Sequence, residues 1–336
     1  MIDLSLMSKQ EKIIILSLFI LLVITILIMF TPANVRNENK VSAEPQNILE
    51  TGGAPGSERG FFNTPKDIAV DKSGDIYVVD SKNNRIQKFN AAGNFILTWG
   101  KEGDGPGDFK EPCGIDIGPD GNIYVADTWN GRVQVFSDTG SYLMEVGRDR
   151  GMWGPRDVGV DKSGNIYIVD TGWCKIEKFD SKGRYLATFG KKRKGGDEPG
   201  GKGPGEFWEP FSIKQGPDDN LYVLDRRNYR VQVLTTEGRF VREFKVHGWN
   251  DAQVVEGCLM EPYIDIDYKN KFVFISDASK HRIMRYNMNG SGEKFFDQDV
   301  LGVKFMCPVG IAVLQDGKVL VTDHSMGKIL TLKITN

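Results

Sequence analysis

The chain is poor in the residues that most often hold catalytic metals. It has three histidines and four cysteines in 336 residues, and no Cys-x-x-Cys or similar ligand spacing. Catalytic zinc needs about three converging protein ligands. His247, His281 and His324 fall at dissimilar positions along the chain, which speaks against a zinc enzyme. An excess of one charge is also lacking: 43 Lys+Arg face 45 Asp+Glu. Near-neutrality argues against a general nucleic-acid binder, although local patches are compatible with it. The 39 glycines show no three-residue period, which excludes collagen and leaves many turns as the reason for them.

One long apolar run is present. Ile13 to Phe30, "IIILSLFILLVITILIMF", is interrupted only by Ser17 and Thr25. As a helix it spans roughly 27 Å, enough for a hydrocarbon core. It is longer than the apolar region of a cleaved signal peptide, and the small residues of "VSA" at Val41–Ala43 lie far downstream. The run is therefore expected to be a transmembrane signal anchor over 13–30, with a short cytoplasmic stretch over 1–12 and a linker over 31–44. Lys9 and Lys12 precede the run while Arg36 and Lys40 follow it, so basic residues set the orientation only weakly.

The rest of the chain is a repeat. Six units begin at Pro65, Pro112, Pro155, Pro210, Pro262 and Pro308. Fifteen residues after each stands Asp80, Asp127, Asp170, Asp225, Asp277 or Asp323, and five further on a base: Arg85, Arg132, Lys175, Arg230, Arg282 or Lys328. Segments such as "DIYVVD" and "RIQKF" alternate and are rich in β-branched or aromatic residues, as strands are. Gly74, Gly121, Gly164 and Gly317 sit where a first hairpin needs positive φ, and Gly93, Gly140, Gly183, Gly238 and Gly290 where a second does. Three residues before each Pro is an apolar side chain, from Phe62 to Phe305, which suggests packing between units.

Four strands per unit of about 43–55 residues match propeller blades. The sixth unit stops after its third strand, "KILTLKI". The segment "QNILETGG" at 46–53 looks like a fourth strand with no unit before it. Residues 47–52 are expected to close the last blade, because an open ring would leave an unpaired edge. The fold is thus expected to be all-β, one six-bladed β-propeller over 45–336, with one N-terminal transmembrane helix.

At "DSKNNRIQKF" and "DTWNGRVQVF", together with the Pro and Gly-x-[Ile/Leu]-Tyr-Val positions, the sequence resembles the NHL-repeat family. The resemblance covers nearly everything after residue 44. It implies that the repeated Asp and Arg lie between the second and third strands and brace neighbouring blades. It also implies that this loop and the loop entering each blade share one face, the top, where ligands usually bind. Fold alone does not give function. The repeat form is similar to that of peptidylglycine amidating lyases, which place zinc-binding His immediately after the blade Pro. Here Lys66, Cys113, Arg156, Phe211, Tyr263 and Val309 stand there, so the zinc is not expected.

A calcium-type site in the central channel is a second expectation. Asp67, Glu111, Asp157, Glu209 and Glu261 cluster near the starts of the inner strands, with Asp116, Asp265 and Asp267 further along. A hard cation takes six to eight oxygens. The competing reading is that Glu-Pro is only a strand-start preference.

Aromatic placement gives a third expectation. Trp129, Trp153, Trp173, Trp208 and Trp249 fall in top-face loops, and Phe211 and Tyr229 join them. Basic residues gather nearby: Lys191, Lys192, Arg193, Lys194, Arg226, Arg227 and Arg156. Flat rings and bidentate Arg suit a protein partner, an anionic glycan or a lipid head group; the alternative is a solvated Gly-rich loop beside incidental tryptophans. The adjacent-blade pairings Cys113–Cys174 and Cys258–Cys307 are preferred among three, with four buried free thiols as the alternative. Taken together, the sequence reads as a membrane-anchored, extracytoplasmic propeller that binds a protein or membrane complex and no nucleic acid. The runner-up is a cation-dependent lyase or hydrolase at the channel mouth.

Overall fold

The hairpin glycines set the chain into blades. In the computed structural model, which describes residues 43–49, 55–190, 200–249 and 261–334, both glycine sets adopt positive φ. At Gly238 and Gly290 a Cβ would also meet Phe189 or Phe244 of the preceding blade at 2.3 and 2.2 Å, so only glycine fits.

The first strand of the described residues is β1 (Ala43–Leu49). Blade one is β2 (Pro65–Val70), β3 (Ile76–Asp80), β4 (Arg85–Phe89) and β5 (Phe95–Trp99); blade two is β6 (Ile115–Ile117), β7 (Ile123–Asp127), β8 (Arg132–Phe136) and β9 (Tyr142–Val146). Blade three is β10 (Pro155–Val160), β11 (Ile166–Asp170), β12 (Lys175–Phe179) and β13 (Tyr185–Phe189); blade four is β14 (Pro210–Gln215), β15 (Leu221–Asp225), β16 (Arg230–Leu234) and β17 (Phe240–Lys245). Blade five is β18 (Ile264–Asp267), β19 (Phe272–Asp277), β20 (Arg282–Asn287) and β21 (Lys294–Phe296). Blade six takes β22 (Pro308–Val313), β23 (Lys318–Asp323) and β24 (Lys328–Ile334), and its sheet order is β1-β24-β23-β22. Six four-stranded antiparallel sheets result.

The closing strand starts four residues earlier than the sequence reading placed it. Ala43 stands opposite Ile334 and Leu49 opposite Ile329, and Pro45 is accommodated because β1 is outermost. β24 runs from the top face to the bottom, so antiparallel β1 enters the propeller at the bottom. Val41–Asn336 is one compact unit.

The core lies between blades rather than at one centre. Ala69, Tyr77, Val79 and Ile86 of blade one pack on Ile115, Ile123, Val125 and Phe136 of blade two, and the blade-six face of blade one meets Ala312, Leu320 and Ile329. The apolar residue before each Pro is buried in these layers at Phe62, Phe109, Met152, Phe207 and Phe305, as the repeat predicts. Among the described residues no helix is long and apolar enough to cross a membrane; the segment 13–30 lies outside them.

Candidate functional site

The repeated Asp is a latch on its own blade. Its carboxylate accepts the backbone N–H of the residue two before Pro: Asn63, Lys110, Trp153, Trp208 and Met306, at 2.7 to 2.9 Å. That residue's backbone is fixed while its side chain varies, so the side chain is chosen by the surface. In blades one, two and four the latch is completed by an Asn, the Arg and a Gln. In blade two these are Asn130, Arg132 and Gln134, all donating to Asp127. Arg132 and Gln134 also donate to the Asp108 carbonyl of the incoming loop. The Asp–Arg pair thus fastens the loop that enters its own blade, which corrects the expectation that it braces neighbours.

Bracing is done instead by the residues taken as metal ligands. Asp67 accepts from the Ile115 amide, Asp116 from Val160, Asp157 from Ile213 and Asp265 from Val313. Ser212 accepts from Ile264, and Thr322 donates to the Lys66 carbonyl. These bonds join blade one to two and so on round the ring to blade one again. Lys214 stands among the channel aspartates and donates to Asp116 at 2.7 Å. Burial pushes the Asp157 carboxyl up to about 7 and Asp265 up to about 6, despite Lys214.

The acids nearer the top are ion-paired. Glu111 pairs with Lys82, Glu209 with Arg226 and Arg227, and Glu261 with Lys66 and Arg156. The five predicted calcium ligands therefore point to separate partners. Among the described residues no three His, Cys, Asp or Glu side chains converge as a metal needs. The histidines are also scattered: His247 meets Glu293, and His281 meets the Met306 carbonyl.

The structure divides the predicted aromatic set. Phe211 is buried edge-to-face on Tyr263, 5.6 Å between ring centroids, and Trp249 is buried in the layer between blades four and five. Tyr229 packs against that same layer and holds the left-handed position that ends the turn after the second strand, with φ of 53°. These three are architecture. Trp208 is half-buried, with Lys202 5.1 Å from its ring. Lys191, Lys192, Arg193 and Lys194 lie outside the described residues.

Trp129 and Trp153 remain, 49% and 51% exposed. The turn carrying Trp129 is tied to the next blade, since Thr128 donates to the Pro155 carbonyl at 2.9 Å. Trp153 lies edge-to-face with Trp173, 6.0 Å between centroids, and the Trp173 indole donates to the Gly151 carbonyl. The Arg156 guanidinium is 5.5 Å from the Trp129 ring centroid. Four predicted residues thus come together on the top face at the seam of blades two and three.

Blade three keeps the Asp170 bond to the Trp153 amide but loses the rest of the latch, as blade six does with Met326, Lys328 and Leu330. Trp173, Lys175 and Glu177 stand in the places of Asn, Arg and Gln. One oxygen of Asp170 is left buried without a hydrogen bond, and burial pushes its carboxyl up to about 6. Sequence alignment of the units displays this exchange, but only knowledge of what the Asn and Gln do gives it meaning.

The cysteine pairings come out differently from each other. Cys113 and Cys174 are not bridged to each other, which corrects the expected pairing. The Cys113 sulfur accepts from Lys66 at 3.3 Å and Arg156 at 3.4 Å at the channel mouth, whereas the Cys174 sulfur accepts from the Glu209 amide of the following blade. Cys174 takes the same left-handed turn position as Tyr229. Cys307 is disulfide-bonded; Cys258 lies outside the described residues.

Residues 62–89 and 109–136, the first two blades, match the family model described as NHL repeat. The chain carries NHL repeats. A curated relative, Protein brain tumor of Drosophila melanogaster, is 26% identical over 127 residues, 38% of this chain. The chain spans only 12% of the length of that relative. Among solved structures, the NHL propeller resembles a virginiamycin B lyase from Staphylococcus aureus (17% identity, TM-score 0.55, 81% of this chain and 80% of that one). It also resembles a gluconolactonase from Xanthomonas campestris (12% identity, TM-score 0.57, 82% and 87%). A Bacteroides thetaiotaomicron protein of unknown function gives a TM-score of 0.65 at 15% identity, over 88% and 76% of the two chains. At these identities the likeness is one of fold.

Proposed function

We propose that this NHL propeller is a membrane-anchored, extracytoplasmic binding module whose binding surface is the top-face seam of blades two and three. One observation carries the reading: two exposed tryptophans, Trp129 in the turn after β7 and Trp153 in the loop entering blade three, flank one seam, where Thr128 is tied to Pro155 and Arg156 lies beside the Trp129 ring. Holding such rings in water is unfavourable for a free monomer and marks an interaction site. Trp and Arg are also the side chains most enriched where binding energy concentrates. The run Ile13–Phe30 supports the anchor.

The enzymatic alternative draws on the names of proteins with the same fold, a lyase and a gluconolactonase, and 12–17% identity does not carry their chemistry to this chain. The test is crosslinking and affinity capture from native membranes with the full-length chain and its Trp129→Ala/Trp153→Ala variant. A stoichiometric partner or ligand held by the first and lost by the second is expected. Identical capture by both chains would refute the seam as the binding surface.

A further inference from the structure

We infer that the seam takes an uncharged saccharide chain. This rests on the binding role proposed above and narrows it to one ligand chemistry. Charge at the seam favours a neutral ligand. Cations around the tryptophans are already engaged by carboxylates, each shared by two of them: Arg156 and Lys66 by Glu261, Arg148 and Arg132 by Glu145, and Arg150 and Lys175 by Glu177. On the far side of Trp129, Lys82 is matched by Glu111. An anionic ligand would have to compete for guanidinium groups whose acids lie within 3.5 Å.

Rigidity favours it too. Each ring has a contact that restrains it before any ligand arrives. Trp173 is held through its indole N–H to Gly151, and Trp153 through its own amide to Asp170 and its edge contact with Trp173. Trp129 has Arg156 beside its ring. Prefixed flat rings lose little entropy on binding. Their faces suit the C–H faces of pyranose rings, while the sugar hydroxyls stay in water or reach the surrounding carbonyls and carboxylates. A chain of sugars fits two exposed indoles on neighbouring blades better than a single small molecule does.

The full-length chain would be titrated with cellohexaose, chitohexaose and mannohexaose, and with an acidic oligogalacturonate, by calorimetry and tryptophan fluorescence. At least one neutral oligosaccharide should bind saturably, with affinity unchanged between low and high salt. Trp129→Ala and Trp153→Ala, both at exposed positions, should each weaken it about fivefold or more. Trp208→Ala, outside the seam, should not. Preference for the acidic oligosaccharide, with affinity falling as salt rises, would overturn the inference. So would the absence of binding to all three neutral chains; if a membrane partner were nevertheless lost in the double variant, the binding role would stand and only the saccharide would fall.

Discussion

The meaning of a residue in this fold depends on which blade it occupies. In blade two, Asp127 takes the Lys110 amide, Asn130, Arg132 and Gln134 on one buried carboxylate. Asp127→Ala would strand four donors at once, among them the Arg132 guanidinium, 1% exposed, which would keep Glu145 at 2.6 Å; the lost acceptor costs about 3–5 kcal/mol. Asp170→Ala in blade three removes the Trp153 amide bond, but Lys175 keeps Glu177 at 2.5 Å. That loss should be nearer 1–2 kcal/mol. Urea midpoints of the two variants check the order; equal losses would show that the blade-three latch is intact after all. The Asp and Arg of each latch are legible in the sequence, because six units repeat them at fixed offsets. The Gln is visible in "RIQKF", "RVQVF" and "RVQVL" yet goes unnoticed, since it recurs in only three blades. Burial is the harder quantity: Phe211 and Trp249 have loop-like positions in the sequence, and only the neighbouring blade shows that they are covered.

Among elements, β1 has the largest consequence for its size. Seven residues supply the outer strand of blade six and pair with β24 from Ala43 opposite Ile334 to Leu49 opposite Ile329. Without them β24 becomes an open edge, and open edges pair with other chains. Deleting Ala43–Leu49 should abolish the monomer in size-exclusion chromatography. Adding the same seven residues after Ile334 through a two-residue turn should restore it, because the two strands already meet end to end at the bottom. Failure of that rescue, with the deletion alone harmless, would mean the ring does not depend on this strand. The sequence reveals the closure because a fourth strand is missing at one end and surplus at the other. It does not reveal the four extra residues: "AEPQ" contains a proline and reads as linker, and only the outermost position makes that proline acceptable.

The propeller is a ring joined blade to blade by side chains of its inner strands, four carboxylates and two hydroxyls. Asp67, Asp116, Asp157 and Asp265 accept amides from the next blade, and Lys214 is the cation among them. Burial raises Asp157 to about 7 and Asp265 to about 6, and with Asp170 near 6 this gives the propeller a pH dependence opposite to that of a salt-bridged protein. In the unfolded chain these groups release their protons near pH 3.9. Between there and pH 7 the folded state binds more protons, so stability is full below about pH 4 for these groups and declines as pH rises through 6 to 7. Lowered carboxyls such as Glu111 and Glu145 act in the other direction, but only as pH falls towards their own range. The Tm should therefore be higher at about pH 5 than at about pH 8, by ~3 °C or more. Asp157→Asn keeps an acceptor for Ser212 and the Ile213 amide while removing the proton that titrates, so it should flatten this slope and leave the fold closed. A Tm that rises from pH 5 to pH 8, or a slope unchanged in the variant, would place the governing protons outside the channel.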